Sequence, residues 1–345
     1  MARQGWADAA RGLAIITIVF FHVVLGLGEQ GEVHWTAWTL INLFAPFPIV
    51  LFFVAAGRFS QSLLNGGWSS AVTRRLAGLI YVFALWTLLD GAAAAALGDP
   101  QTTELLDYLA NPRSPLWFIW ALVLYTAFAA ATPRSWRLAV IIGAGVLSFC
   151  SFAGLIALNS FVYDNLLRFL PFFLTGVAAG DIEQPIEGRR WRLLLCGGLL
   201  FAGLTALAMW MPVAQAVKGA LLFGLAVLAA PVGIAGASIV ADAPGVGRLA
   251  QGFGRCSLGV YLVHPIVILL LFQVTDFAGP VMAPELVSTP FVLTITCLGL
   301  SIGFVLVSSH LGLTWLYRPP GGGKDGRWGA QMPSDRQGEP DGRAG

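Results

Sequence analysis

Charge is what this chain has least of. Asp, Glu, Lys and Arg together make up 11% of its 345 residues, against about 25% in soluble domains, too few to coat a water-soluble globule. The charge present is nearly balanced, 20 basic against 18 acidic residues for a formal +2, and it is scattered, which argues against a nucleic-acid partner. Cysteine is scarce too. The four residues Cys150, Cys196, Cys256 and Cys297 show no paired spacing, so zinc sites, CxxC redox pairs and disulfide frameworks are not indicated; they read as small apolar packing residues. Also missing are a repeat of about 20–50 residues, a GxGxxG or Walker loop, an HExxH helix and a nucleophile elbow.

Hydrophobic residues make up 57% of the chain. Runs long enough to cross about 30 Å of hydrocarbon fall near 11–28, 38–57, 76–97, 115–131, 138–157, 161–180, 193–211, 216–240, 253–274 and 288–311. This predicts an all-α integral membrane protein, a bundle of about ten transmembrane helices. Only Leu158, Asn159 and Ser160 divide the fifth and sixth runs, so nine or eleven helices stand as alternatives. With both termini cytoplasmic, the inner segments carry Arg3, Arg11, Arg58, Arg74, Arg75, Arg134, Arg137, Arg189, Arg190, Arg192, Arg248 and Arg255. The outer loops then carry only Arg113 and Lys218 as basic residues, beside Glu29, Glu32, Asp99, Glu104, Asp107, Asp276 and Glu285, which satisfies the positive-inside rule. The first run has an early arginine and an apolar centre, like a signal peptide, but no small-residue cleavage site follows it and it is read as retained. Residues 1–318 form the membrane domain, and the Gly-, Pro- and charge-rich stretch 319–345 is expected to be a disordered cytoplasmic tail.

Ionisable side chains inside the spans are costly and commonly mark a substrate or proton path. Arg11 stands at the entry of the first run and His22 inside it, eleven residues on, about three helical turns and on the order of 16 Å, so they face nearly the same way. His22 falls about two thirds of the way across by rise per residue. Asp90 and Arg168 fall in the outer half. Asp164 precedes Arg168 by four residues, which predicts a same-face ion pair; the alternative is that Arg168 holds an anionic group. His264 is followed by Pro265, which leaves the Tyr261 carbonyl without its helical donor, and either a simple kink or a cavity-lining role accounts for the pair. Trp6, Trp35, Trp38, Trp117, Trp120 and Trp191 sit near span ends, as an interfacial aromatic belt would.

In chain order these residues resemble a known family. The opening DAARGLAIITIVFFH has the arginine-to-histidine spacing of the membrane-bound acyltransferase 3 family, whose members often read LDxLRGLA up to that histidine. LFFVAAGRFS at 51–60 resembles the family's FFxxSG segment, TRRLAGLIYVFALW at 73–86 its basic stretch entering the third helix, and SPLWFIWALVLY at 114–125 its LWF helix. LPFFLTGVAAG at 170–180 is similar to its FxxGxxxG helix and SLGVYLVHPIV at 257–267 to its Tyr–His–Pro segment. Ala56 stands where the family often has Ser, and Trp6 and Ala9 depart from its usual opening; none of these removes a proton-transfer group. No extracytoplasmic hydrolase-like domain accompanies the resemblance, which covers residues 6–318.

The resemblance implies transfer of an acyl group, commonly acetyl from acetyl-CoA, to a hydroxyl of a cell-surface carbohydrate, glycolipid or small-molecule acceptor, without a metal, in the plasma (inner) membrane. Acyl transfer needs a base, and imidazole with a pKa near 6.5 suits it. His22 is the candidate for that base or for the group that carries the acyl. Arg11, oriented by Asp8, suits CoA phosphates. Arg74 and Arg75 are a second candidate phosphate cluster or ordinary topogenic arginines. Tyr261, His264 and Arg168 are candidate substrate-binding groups, and Trp117 either stacks on a ring or belongs to the belt. A transporter without covalent chemistry is the rival, as discontinuous helices with mid-membrane charges would serve it too; no inverted repeat is visible. A succinyl group in place of acetyl is a second alternative.

Overall fold

The computed structural model describes residues 5–31, 33–97, 115–178, 186, 188–275 and 286–320. Arg3, Glu32, Asp99, Glu104, Asp107, Arg113, Asp276, Glu285 and the tail over 321–345 lie outside the described residues.

The described chain is helical throughout: α1 (Gly5–Gln30), α2 (Trp35–Phe44), α3 (Pro46–Leu64), α4 (Ser70–Ala96), α5 (Trp117–Ala131), α6 (Arg137–Phe152), α7 (Phe161–Ala178), α8 (Arg190–Trp210), α9 (Gln215–Asp242), α10 (Val246–Thr275) and α11 (Thr289–His310). Eight helices among the described residues are long and apolar enough to cross a membrane, α2 and α3 counting as one over Trp35–Leu64. α5 is shorter but apolar, and α7, whose 18 residues include Asp164, Arg168 and an internal Pro171, is not among those eight. Large apolar side chains point outward: Leu138, Leu199 and Ile295 are 70%, 75% and 70% exposed, the pattern of a lipid-facing surface and not of a water-soluble one.

Boundaries depart from the sequence reading in ways with local causes. α1 starts at Gly5, so Arg11 lies inside the helix and not at its start. The second span breaks at Ala45, where Pro46 and Pro48 begin α3, because proline fits a first helical turn and has no N–H to continue the preceding one. α6 ends at Phe152, and Asn159 turns in the left-handed region at φ 56°, so the fifth and sixth spans are separate helices. Within α8, residues Leu193–Gly197 form a π-helical turn.

Basic residues gather at one end of the bundle. Arg11 in α1 lies over the Phe59 ring of α3 at 4.9 Å. Arg137, opening α6, donates to the Leu64 carbonyl at 2.6 Å and to Asn65 Oδ1 at 2.8 Å, which covers the exposed carbonyl end of α3. Arg190 pairs with Asp242 across α8 and α9. The segment after α11 is tied to α4, with Trp86 Nε1 donating to the Leu316 carbonyl at 2.6 Å and Tyr81 Oη to the Trp315 carbonyl at 3.1 Å.

The most extensive helix pairing is α1 against α10. It is close because both helices present glycine at the crossing: a Cβ on Gly12 would lie 2.0 Å from the Ala250 oxygen, and one on Gly254 1.8 Å from the Asp8 oxygen. Small residues let backbones approach where lipid supplies no hydrophobic drive. Gly57 of α3 and Gly176 of α7 make a second crossing of the same reciprocal kind.

Candidate functional site

The α1–α10 contact brings together two residues 242 positions apart in sequence. The rings of His22 and His264 have centroids 5.4 Å apart at 45°. Tyr261, one turn before His264, stands 5.9 Å from it, and Phe118 of α5 lies 5.7 Å from Tyr261. Rings then continue through Phe53 at 4.5 Å from Phe118 to Trp117 and Phe169, each within about 6.1 Å of Phe53. The cluster joins α1, α3, α5, α7 and α10.

Local sequence explains how His264 is held. The Tyr261 carbonyl has no helical donor because residue 265 is proline. His264 Nδ1 sits 2.7 Å from that oxygen and 3.1 Å from the Val260 oxygen. The ring is fully buried, and its other nitrogen, Nε2, has no hydrogen-bond partner. The Tyr261 hydroxyl is likewise buried, with the Phe118 backbone as its hydrogen-bond neighbour and Asp90 of α4 as its electrostatic neighbour. Cys297 of α11 closes the far side, its Sγ 3.8 Å from the His264 carbonyl. His22 differs: its side chain keeps partial accessibility and makes no hydrogen bond among the described residues.

At the basic end, Arg11 and the 2%-exposed Asp8 form an i,i+3 ion pair. They lie on the same continuous helix as His22, on the order of 16 Å below it. Arg74 and Arg75 open α4; Arg74 is exposed and Arg75 partly buried.

Two expectations are corrected here. The Asp164–Arg168 ion pair does not form. Asp164 instead accepts from the Leu158 backbone N–H at 2.8 Å, a bond that stabilises the turn before α7. Arg168 reaches the other way, over the Phe152 ring at 5.3 Å and toward the Ser151 carbonyl at 3.4 Å, where a cation meets the negative end of α6. Trp117 is not a belt residue: it is 7% exposed and packed against Phe53, Phe118, Phe161 and Phe169. Trp6 is buried too and Trp120 stacks on Phe83 at 5.5 Å, whereas Trp35, Trp38 and Trp191 are exposed as a belt requires.

Three features escaped sequence reasoning: the His264 bond to the freed carbonyl, the Phe118 ring beside Tyr261, and the glycine crossing. The proline offered a signal for the first, since it announced an unpaired carbonyl one turn back. Nothing local announced the others, because each depends on a distant helix. Among the described residues, no group of three or more His, Cys, Asp or Glu side chains is arranged to hold a metal ion.

A family model described as an acyltransferase domain matches residues 4–309. No curated protein and no solved structure matches the chain. The matched stretch runs from before α1 to the last turn of α11, so the whole helical bundle, with the paired histidines inside it, is the family's domain: the chain belongs to the acyltransferase 3 family and is a multi-pass membrane acyltransferase.

Proposed function

We propose that this acyltransferase moves an acyl group, acetyl in the first instance, from acyl-CoA held at the basic end of the bundle to a hydroxyl of a carbohydrate, glycolipid or small-molecule acceptor on the other side of the plasma (inner) membrane. The observation that carries the reading is the His22–His264 contact, 5.4 Å between ring centroids, on a helix whose basic end holds the Arg11–Asp8 pair. His22 is the base: it is half-buried and makes no hydrogen bond among the described residues. It takes the proton of the acceptor hydroxyl as that oxygen bonds to the thioester carbonyl carbon. The C–S bond then breaks, the electron pair leaves on sulfur, and the proton returns to the thiolate, giving an ester and free CoA. Tyr261, whose ring centroid lies 5.9 Å from that of His264, has a hydroxyl suited to the oxyanion that forms at the carbonyl.

Arg11 would hold CoA phosphates through its planar fork, with Asp8 orienting it; Arg75 and Arg74 are further candidates at the same end. Trp117 and Arg168 act on the acceptor only at a distance in this reading. Trp117 shapes the aromatic wall, and Arg168 faces α6.

The test is CoA release from labelled acetyl-CoA by the purified full chain in lipid vesicles supplied with hydroxyl acceptors. Transfer frees a thiol and labels the acceptor, and a transporter does neither. Arg11→Lys keeps a charge beside buried Asp8 but loses the fork. It is expected to raise the apparent KM for acetyl-CoA about tenfold, with kcat held, as loss of ground-state binding does. An unchanged donor KM removes Arg11 from the donor site.

A further inference from the structure

The hydrogen bonds of His264 are unequal, and the inequality has a direction. A carbonyl oxygen only accepts, so the 2.7 Å contact from Nδ1 to the Tyr261 oxygen requires the hydrogen on Nδ1. In the neutral ring Nε2 then carries the lone pair. That nitrogen is buried and has no hydrogen-bond partner, and the nearby imidazole is His22, its ring centroid 5.4 Å from that of His264. Pro265 is what makes the arrangement available. Any other residue at 265 would bring a backbone N–H to the Tyr261 carbonyl in the helical i to i−4 pattern, and the ring would compete with it.

We propose that Pro265 is a positioning residue which, through the Tyr261 carbonyl, locks His264 in its Nδ1–H form, so that Nε2 backs His22 as a hydrogen-bond acceptor. The order of groups is His22, then His264 Nε2, then Nδ1–H, then the Tyr261 carbonyl. When His22 takes the proton of the acceptor hydroxyl it becomes an imidazolium, and its second N–H is accepted by Nε2. The positive charge stays on His22, and no proton leaves Nδ1. This is the role a carboxylate plays behind the histidine of a hydrolytic triad, where the wrong tautomer alone costs about 10⁴-fold; here a backbone carbonyl and a second imidazole fill it with no buried negative charge. The other groups packed on His264 do not compete for Nε2: Tyr261 lies on its own helix, Cys297 contacts the backbone oxygen, and Asp90 lies toward Tyr261.

The inference rests on the acyl-transfer reading for its consequence but not for its test. The chain has four histidines, so ¹⁵N spectra of imidazole-labelled protein in lipid nanodiscs are assignable by replacing His22, His34, His264 and His310 in turn. His264 is expected to show a protonated Nδ1 and a bare Nε2. Pro265→Ala, which favours helix and should fold, is expected to give a mixed tautomer, at least a tenfold lower kcat, an unchanged donor KM and an undiminished melting temperature. A His264 protonated on Nε2 in the unaltered chain, or a Pro265→Ala chain whose tautomer or kcat matches it, overturns the proposal. If the unaltered chain frees no CoA, the acyl-CoA reading fails while the spectra still decide the tautomer.

Discussion

His22→Ala is expected to lower kcat for acyl transfer by roughly 10²–10⁴-fold, the usual share of a general base, while the donor KM changes little. Compensation by His264 is not available. Its Nδ1 is committed to two carbonyls at 2.7 and 3.1 Å, and its Nε2 is closed off from accessible space. The fold should survive, because His22 contributes no hydrogen bond among the described residues and its truncation leaves a gap beside a ring that is independently held. The measurement is CoA release in vesicles at matched protein, with a melting curve alongside. Full activity in the alanine variant would sink the assignment of His22 as base.

The second large effect belongs to the helix crossing. Gly254→Val is expected to abolish most folded protein, and Gly254→Ala to destabilise by up to about 3 kcal/mol, the upper end for overpacking. Even the alanine Cβ would sit 1.8 Å from the Asp8 oxygen and 2.6 Å from its carbon. Those atoms are backbone, so no flexible side chain can move aside. Gly252, two residues away, is the control: a Cβ there meets only Arg255 Nη2 at 3.7 Å, and Gly252→Ala should melt like the unaltered chain. Fluorescence-detected size exclusion after heating reads both. Because α1 and α10 carry the two histidines, Gly254→Ala is also expected to lose turnover below its melting temperature. A Gly254→Ala chain that melts and turns over normally would mean that the crossing is looser than described.

Much of the architecture was legible because hydrocarbon leaves few options. Spans must be helical, about 20 residues long and apolar, so the ten runs correspond to helices or helix pairs, and the carbonyl that Pro265 frees could be marked in advance. The Arg11–Asp8 pair was readable too, since an i,i+3 contact on one helix needs no tertiary knowledge. Arg168 shows where such reasoning stops. The same i,i+4 logic paired it with Asp164, yet the end of α6 offered Arg168 a carbonyl and a ring, and a backbone N–H offered Asp164 a nearer partner. Trp117 was misread for a related reason: position near a span end does not say whether lipid or protein lies alongside. The histidine pair was suggested by family resemblance, whereas its distance and its unequal bonding follow from a crossing that brings residues 242 positions apart together.

The unequal bonding also divides the pair in time. His264 is tethered at two points of its own backbone and walled in by Cys297, so rotating it means breaking bonds in a place where no water can replace them. His22 has no such tether, and rotamer exchange of a loosely held side chain is fast. One half of the pair is therefore a fixed reference and the other a moving arm. Whatever reorientation a catalytic cycle requires at this depth falls to α1, the helix that also holds Arg11.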